Sequence, residues 1–295
     1  MTLDREYDLA VEAVPAAGAA LLGLRPAIEQ AWAVSPASSS VGAITVATYN
    51  IHRCVGLDRI RDPARIANVI NELNVDVIGL QEVDARGRRI QNMLARRLGA
   101  PAERRAANAI DQFDYLAQKL GGQAVRGPVL RGPKGNMTTA LISRHKIAAV
   151  RELDLSLPTG EPRGAIDADL EIGGRLVRVI VAHLGLRVRE REQQIARLCH
   201  AVRTPEDRPL IVMGDFNEWH LHRSTLGPLD ERLGHATPVP SFPARFPLLS
   251  LDRIWVGRES LVTHLHVHRT PLARKASDHL PVQATIRLPP SKPVE

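Results

Sequence analysis

The sequence predicts an α/β fold in which two sheets pack face to face and helices cover their outer sides. Three observations support this prediction. Short apolar runs bounded by turn residues recur along the chain, and only a few segments have a helical period. The helical segments fall between the strand segments rather than in one block. Polar residues stand where several apolar runs end, and strand ends that converge on one rim would gather them into one pocket.

The composition limits the class of protein and the kind of partner. The 295 residues are 44% hydrophobic and 24% charged, which is ordinary for a globular protein with a large core. Lys and Arg outnumber Asp and Glu by 39 to 32, which gives a net charge of +7. Such an excess favours polyanions, whether nucleic acid, anionic lipid headgroups or small phosphates. A general bias of the chain towards arginine would explain the excess equally well.

Cysteine content and hydropathy bear on where the protein works. Cys54 and Cys199 are too few for a disulfide framework and fit free thiols in a reducing compartment. Residues 9–34 are Ala-rich, but charged residues interrupt them, so no membrane span is predicted. We therefore expect a cytoplasmic monomer.

The chain divides into three parts by composition. Residues 1–41 predict an N-terminal extension, partly disordered or helical, that ends in a Ser-rich linker. Residues 42–289 predict a single domain, because strand and helix patterns continue throughout. Residues 290–295 predict a short Pro-rich tail.

The first part of the domain predicts two strands and two helices. Residues 43–49 carry the β-branched side chains typical of a strand, and residues 76–82 form an apolar run that ends in polar groups. The Asp-Pro pair at 62–63 is a cap followed by a first-turn residue, and it begins a helix with one apolar face. Residues 111–120 predict an amphipathic helix. The Arg-rich stretch at 86–105 is either a phosphate-tracking patch or a solvated helix or loop.

The rest of the domain predicts mainly strands. Gly173 and Gly174 predict the tight turn of a hairpin. Residues 188–202 predict a helix, and residues 220–250, rich in Pro and His, are expected to be irregular. The strands are predicted at residues 139–142, 147–155, 165–172, 176–183, 209–214, 251–256, 262–268 and 281–288.

Acidic and amide side chains follow several of these strands. Glu82 ends one strand, and Asp215 and Asn217 form a Gly-Asp-Phe-Asn motif. Asp278 stands in a Ser-Asp-His motif. Carboxylates and amides without thiols fit Mg2+ or Mn2+ better than zinc. Any one such acid is more often a cap or a turn residue, but their repetition at strand ends predicts a metal site.

Two histidines add proton chemistry to this set. His279 follows Asp278 directly, and His183 ends an apolar strand. Hydrolysis of a phosphodiester needs a base for water, positive charge near the phosphoryl oxygens and help for the leaving group. Histidine transfers protons near neutral pH, and a carboxylate such as Asp252 can hold its tautomer. Taken alone, His183 would be interpreted as a core or turn residue.

Six short motifs occur in order along the chain. They are Thr48-Tyr49-Asn50-Ile51-His52, Leu80-Gln81-Glu82-Val83-Asp84, Ala182-His183-Leu184, Gly214-Asp215-Phe216-Asn217, Leu251-Asp252-Arg253-Ile254 and Ser277-Asp278-His279-Leu280-Pro281. In this order they resemble the endonuclease/exonuclease/phosphatase superfamily, which includes DNase I, inositol polyphosphate 5-phosphatases and neutral sphingomyelinases. The resemblance runs from about residue 43 to residue 288. Each motif alone is weak, and the ordered set identifies the superfamily.

The resemblance implies a four-layered α/β sandwich, DNase I-like, of two mainly antiparallel sheets with helices outside. It also implies the functional residues. The metal ligands would be Asn50, Glu82 and Asp278, which would hold Mg2+ or Mn2+, and the catalytic residues would be His183, Asp215, Asn217, Asp252 and His279. In this scheme His279, paired with Asp252, serves as base or as phosphate stabiliser. His183 matches the DNase I and phosphatase branches rather than apurinic-site repair.

Two further residues are expected near the phosphate by the same resemblance. Asn136 lies in a segment similar to the family's central strand, and Arg163 lies where relatives often carry an arginine. Arginine suits bidentate phosphate contact, and the alternative for Arg163 is an exposed place in a hairpin. His264, His266 and His268 alternate along one strand, which fits a polar outer face better than a metal site.

The sequence therefore predicts a Mg2+-dependent phosphodiester hydrolase that uses in-line attack by water. Nucleic acid is the substrate expected first. The alternative is a phosphatase or phosphodiesterase for a lipid headgroup or a small phosphate, which the same motifs serve. A non-catalytic binding module is least expected, because every acid and histidine position is filled. The sequence leaves endo or exo action and the number of metal ions open.

Overall fold

A computed structural model describes residues 42–84, 111–132, 135–202, 208–220 and 224–290. The predicted extension at 1–41, the Arg-rich stretch at 86–105 and residues 291–295 of the predicted tail lie outside the described residues. Among the residues that are described, no helix is both long enough and apolar enough to cross a membrane.

Twelve strands and five α-helices occur in the described part of the chain. The strands are β1 (Ala43–Asn50), β2 (Val77–Asp84), β3 (Gln123–Arg126), β4 (Leu130–Gly132), β5 (Gly135–Ser143), β6 (Lys146–Asp154), β7 (Gly164–Ile172), β8 (Arg175–His183), β9 (Leu210–Asp215), β10 (Asp252–Val256), β11 (Leu261–Val267) and β12 (Val282–Arg287). The helices are α1 (Pro63–Leu73), α2 (Gln112–Leu120), α3 (Val188–Val202), α4 (Gly227–Leu233) and α5 (Ala273–Ala276), and a 3-10 turn spans His52–Cys54.

The strands form two sheets. One has the order β11-β12-β1-β2-β5-β3, with β4 also paired to β5, and the other has the order β10-β9-β8-β7-β6. The β1–β2 and β8–β9 pairs are parallel, and every other described pair is antiparallel. The prediction of two mainly antiparallel sheets is confirmed.

Three apolar layers hold the sheets and helices together. Val46 and Val179 face each other's sheets in the middle layer. Ala47, the next residue of β1, belongs to the layer that contains α1 and α2, and Ile180 belongs to the layer that contains α3 and α4. Successive side chains of a strand point to opposite faces, so both faces of each sheet are buried. The resulting order helix, sheet, sheet, helix is the four-layered sandwich that the resemblance implied.

Capping side chains explain where the predicted helices begin, and two glycines explain the turn of the predicted hairpin. Asp62 accepts a hydrogen bond from the backbone N–H of Arg65 at 3.2 Å and so caps α1. Asp111 caps α2 in the same way. Gly173 and Gly174 have φ angles of 57° and 77°, which a side chain would disfavour, and they connect β7 to β8. These predictions are confirmed.

Several element predictions need correction. Residues 220–250 were expected to be irregular, but α4 lies within them, with Leu229 and Leu233 buried against the second sheet. The described strand β5 begins at Gly135 rather than at residue 139, and β2 continues to Asp84. The strands β3 and β4 and the helix α5 were not predicted, because elements of three or four residues are too short to show a period.

Candidate active site

The two parallel strand pairs bring the predicted residues to one edge of the sandwich. In the β1–β2 pair, Asn50 lies opposite the residue that precedes Glu82. In the β8–β9 pair, His183 lies opposite Asp215, and Asp252 at the start of β10 also lies opposite Asp215. The carboxyl ends of parallel neighbours meet at one edge, which is where open α/β sheets bind their ligands.

A cleft of about 310 Å³ opens at this edge. Its walls include seven of the eight motif residues, namely Asn50, Glu82, His183, Asp215, Asn217, Asp278 and His279. The eighth, Asp252, is fully buried and reaches the cleft through His279. The structure therefore gathers the whole predicted set around one cavity.

Three residues at this edge have unusual backbone conformations. Glu82 has a φ angle of 56° and sits in a bulge of the β2–β5 pairing. Asn217 has a φ angle of 50°. Gly214 has a φ angle of 154°, and a Cβ atom there would overlap the carbonyl oxygen of Ala182 on β8. Bulges and strained residues concentrate where a fold re-aims side chains for function.

Asp252 and His279 form a buried hydrogen-bonded pair. The Nδ1 atom of His279 lies 2.9 Å from Oδ2 of Asp252. Ser241 donates its hydroxyl to the same oxygen at 2.5 Å. Ser277 accepts the backbone N–H of His279 at 3.3 Å and donates to the carbonyl oxygen of Asn50 at 2.8 Å. The two serines hold the pair in place, and neither was predicted to act in the site.

The pairing fixes the charge on His279. Burial disfavours the imidazolium, but the carboxylates of Asp252 and Asp215 raise the pKa of His279 to about 10. Burial, with a contribution from Asp252, raises the pKa of Asp215 to about 6, although His279 opposes this shift. At neutral pH His279 is therefore positively charged, and Asp215 is ionised but close to its midpoint.

Asp215 is the centre of the polar network. Asn50 donates its side-chain Nδ2 to Oδ2 of Asp215 at 2.9 Å, and the backbone N–H of Asn217 donates to Oδ1 at 2.9 Å. The Nε2 atoms of His183 and His279 lie 3.6 Å and 3.7 Å from Oδ2. The side chain of Asn217 donates to a backbone carbonyl oxygen just after β8. Asn217 thereby ties together the segments that follow β8 and β9.

Arg163 is buried against His183. Its Nη1 lies 3.0 Å from Nδ1 of His183, and its Nη2 donates to Oε2 of Glu161 at 2.9 Å. The alternative of an exposed hairpin position does not hold, because Arg163 is buried and lines the cleft. Burial, together with the positive charges of Arg163 and His279, holds the pKa of His183 well below 6.5. His183 is therefore a neutral imidazole that can donate or accept a hydrogen bond.

Glu82 and Asp278 supply the carboxylates that suit a hard cation. Both are partly exposed and line the cleft. Asn50 places its Nδ2 3.4 Å from Oε1 of Glu82, and its Oδ1 accepts the backbone N–H of His52 at 3.0 Å. The amide nitrogen of Asn50 thus contacts the carboxylates of Glu82 and Asp215. The role of Asn50 as a metal ligand stays a prediction.

A second group of residues could also offer ligand atoms to a metal ion. Among the described residues, Asp215, Asp252 and His279 bring one ligand atom each within 4.8 Å of one another. A hydrogen bond already joins His279 to Asp252, and a charged imidazolium in this group would repel a cation. The metal ligands predicted from the sequence, which include Glu82 and Asp278, stay a prediction.

Asn136 and the histidine row lie outside the cleft walls. Asn136 pairs with Arg131 of β4 and precedes Met137, which lines the cleft. His268 lies 2.8 Å from a carboxylate oxygen of Glu72, and it forms no three-ligand cluster with its row among the described residues. A phosphate contact by Asn136 stays a prediction.

A polar cluster behind the cleft was not predicted. Arg191 on α3 is fully buried and donates to Glu218 at 3.2 Å and to the carbonyl oxygen of Leu186 at 2.6 Å. Its guanidinium lies 4.6 Å from the ring centroid of Trp219. Leu186 and Trp219 both line the cleft, so Arg191 fixes one of its walls. The available signal was that Glu218 and Trp219 directly follow Asn217.

Comparisons with known proteins identify the family of the chain. The model of the Endonuclease/Exonuclease/phosphatase family matches residues 47–279. The chain is 32% identical over 189 residues to the uncharacterized protein YbhP of Escherichia coli (strain K12), covering 60% of this chain and 73% of YbhP.

Solved structures show the same fold. An endonuclease/exonuclease/phosphatase from Beutenbergia cavernae superposes with a TM-score of 0.66 at 21% identity, over 84% of this chain and 72% of that one. A mannosyl-6-phosphatase from Bacteroides thetaiotaomicron superposes with a TM-score of 0.61 at 18% identity, over 82% of this chain and 99% of that one. The family match spans most of the described domain and includes all eight motif residues. The chain therefore belongs to the endonuclease/exonuclease/phosphatase family of metal-dependent hydrolytic phosphoesterases.

Proposed function

We propose that this protein hydrolyses a phosphodiester by in-line attack of water, with Mg2+ held by Glu82 and Asp278; Mn2+ is the alternative ion. The observation that carries the proposal is the charged pair of Asp252 and His279 beside Asp215 at the floor of the cleft. A bound Mg2+ would polarise a phosphoryl oxygen and offset its negative charge. Every other step below is performed by side chains of the chain itself.

The pKa values of Asp215, His279 and His183 suggest which of them acts as the base and which bind the phosphate. Asp215, whose pKa is raised to about 6, accepts a proton from the attacking water as the new P–O bond forms. His279, whose pKa is raised to about 10, is positively charged and binds a phosphoryl oxygen rather than acting as the base. His183 is neutral and donates from Nε2 to the phosphate or to Asp215. As the leaving oxygen departs, it takes a proton from solvent or from His279.

The cleft's rim favours a substrate with an apolar body. Its walls include large apolar side chains, namely Met137, Leu186, Trp219, Phe242, Leu249 and Leu251. A phosphodiester that carries a lipid would contact this wall, so a phospholipid headgroup is the substrate class we propose first. Nucleic acid is the second candidate, supported by the net charge of +7 and by the exposed ring of Trp219, on which a base can stack.

A small phosphate monoester is the third candidate substrate. The structural neighbour named a mannosyl-6-phosphatase motivates its inclusion, although it shares only 18% identity with this chain. The cleft volume of about 310 Å³ accommodates a ligand of this size.

A metal-dependent substrate panel tests the proposal. The purified chain would be assayed in EDTA and after addition of Mg2+ on bis(p-nitrophenyl) phosphate, p-nitrophenyl phosphate, DNA, RNA and phospholipids. We expect turnover only with metal, and expect Glu82→Gln to lose on the order of 100-fold or more, since a metal contributes several kcal/mol to such a reaction. Glu152→Gln, at an exposed glutamate of β6, is the matched control. Equal activity with and without chelator would sink the mechanism.

A further inference from the structure

Two loops beside the cleft display large apolar side chains to solvent. The first rim loop comprises residues 55–61, and the second rim loop comprises residues 242–249. Their exposed side chains are Leu57 (46% exposed), Ile60 (39%), Phe246 (66%) and Leu248 (79%). Single exposed apolar residues are common on proteins, but a group of them on one face marks an interaction surface.

Hydrogen bonds within each loop satisfy several of its backbone groups. In the second rim loop, Phe242 donates to the carbonyl oxygen of Leu249 at 3.0 Å and accepts from the N–H groups of Leu248 and Leu249 at 2.9 Å and 2.8 Å. In the first rim loop, Gly56 donates to the carbonyl oxygen of Ile60 at 3.0 Å. These backbone groups stay hydrogen-bonded when the loops move out of water into a lipid layer. Their burial therefore costs little free energy.

Helix α5 joins the two loops into one surface. The backbone N–H of Leu57 donates to the carbonyl oxygen of Lys275 at 3.1 Å. The guanidinium of Arg274 donates to the carbonyl oxygens of Ala244 and Arg245 at 3.3 Å and 3.2 Å. The four apolar side chains therefore belong to loops that are fixed to the same short helix.

The surface is also basic. Arg59, Arg245 and Lys275 are exposed, and the guanidinium of Arg245 lies 5.6 Å from the ring centroid of Phe246. The one acid within the two loops is Asp58, which Arg65 holds at 2.7 Å and which also lies 3.5 Å from Lys275. Apolar side chains surrounded by Lys and Arg match the boundary between acyl chains and anionic headgroups.

We propose that the two rim loops dock the protein on a lipid bilayer that carries anionic headgroups. Phe246 and Leu248 are 66% and 79% exposed, so most of each side chain is free to insert into a fluid layer rather than a preformed protein groove. Phe242 and Leu249, in the second rim loop, line the cleft. Docking through these loops therefore presents the cleft to headgroups at the membrane surface.

This inference rests on the proposed function for the identity of the substrate, but docking itself needs no catalysis. Co-sedimentation with vesicles in EDTA therefore tests it separately. The full chain would be mixed with vesicles of phosphatidylcholine containing about a third phosphatidylserine, and with phosphatidylcholine alone. We expect binding to the anionic vesicles, weakened by salt.

Two sets of variants assign the binding to the loops. Phe246→Ser with Leu248→Ser should weaken vesicle binding about 100-fold, since burial of each side chain is worth roughly tenfold or more. Arg245→Gln and Lys275→Gln should each cost about fivefold on anionic vesicles only. Leu261→Ser is the matched control, because Leu261 is 50% exposed on the edge strand β11, outside both loops.

The outcomes separate the possibilities. The proposal holds if the double serine variant no longer binds anionic vesicles while the Leu261→Ser variant still does. Both variants should hydrolyse the soluble bis(p-nitrophenyl) phosphate as wild type does. It is overturned if wild type does not bind anionic vesicles or if the double variant binds them as well as wild type does. It is also overturned if the double substitution weakens binding of an oligonucleotide and leaves vesicle binding unchanged. Vesicle binding without soluble diester turnover would defeat the proposed function and leave docking intact.

Discussion

Asp252→Asn keeps the size of a fully buried side chain and removes its negative charge. The pKa of His279 is raised from 6.5 to about 10 in the intact site, which corresponds to about 5 kcal/mol in favour of the imidazolium. Asp252 lies 2.9 Å from the imidazole and Asp215 lies 3.7 Å from it, so we assign Asp252 at least half of this energy. Half is between about 2 and about 3 kcal/mol, or on the order of 70-fold in an equilibrium constant.

The assay is hydrolysis of bis(p-nitrophenyl) phosphate with Mg2+ between about pH 5 and pH 10. In wild type we expect kcat to rise as Asp215 ionises near pH 6 and to fall as His279 loses its proton near pH 10. In Asp252→Asn the folded pKa of His279 drops, so the alkaline fall should move down by about two pH units. Because the loss follows the protonated fraction of His279, the variant should lose roughly tenfold in kcat at pH 9 and approach about 70-fold only above pH 10, with a smaller change in KM.

Ser241→Ala is the control for a purely geometric effect. It removes the 2.5 Å hydrogen bond to Asp252 but leaves the carboxylate, so a loss of less than about tenfold is expected with the alkaline limb unchanged. If Asp252→Asn folds normally and keeps both its kcat at pH 8 to 9 and its alkaline limb, then the charge of Asp252 does not set the state of His279, and the role given to His279 is wrong.

Two further predictions concern the fold. Burial alone would raise the pKa of Asp167, but hydrogen bonds from Arg178 and Arg151 lower it below 3.8; the stability this provides is present above about pH 4 and is lost as pH falls through the lowered pKa. Urea unfolding from pH 6 down to pH 2 should show that loss in wild type and a reduced dependence on pH in Asp167→Asn. Gly214→Ala would place Cβ on the carbonyl oxygen of Ala182, so its free energy of unfolding should fall by about 3 kcal/mol or more; thermal unfolding within a few degrees of wild type would contradict the steric argument.

The sequence predicted which residues lie together at the cleft better than it predicted their geometry. Apolar runs end where a strand leaves the core, so a polar residue such as His183 or Asp215 at that point marks a sheet edge. The order of the motifs then placed Asn50 and Asp278 in the same set. Both signals are local in the chain, and a single sequence carries such signals well.

The remaining features depend on contacts between distant segments. Ser241 acts on Asp252 because the second rim loop folds back on itself, and the Pro-rich segment around it gives no period to interpret. The φ angle of Glu82 arises from a bulge against β5, which is far away in the chain. Phe246 and Leu248 look like ordinary core residues in the sequence, and only their exposure in the structure makes them informative.

The charge of the cleft bears on the proposed need for a cation. Four carboxylates, those of Glu82, Glu161, Asp215 and Asp278, line the cleft together with Arg53 and Arg163. Arg163 pairs with Glu161, and the Asp252–His279 pair adds no net charge. A phosphodiester would bring a further negative charge to this place. Two like charges about 4 Å apart repel by about 4 kcal/mol at an effective dielectric constant of about 20. A divalent cation between Glu82 and Asp278 would offset two of these charges and leave the imidazolium free to attract the phosphoryl oxygens. A chelator should therefore weaken substrate binding as well as turnover, which a metal that served only to activate water would not require.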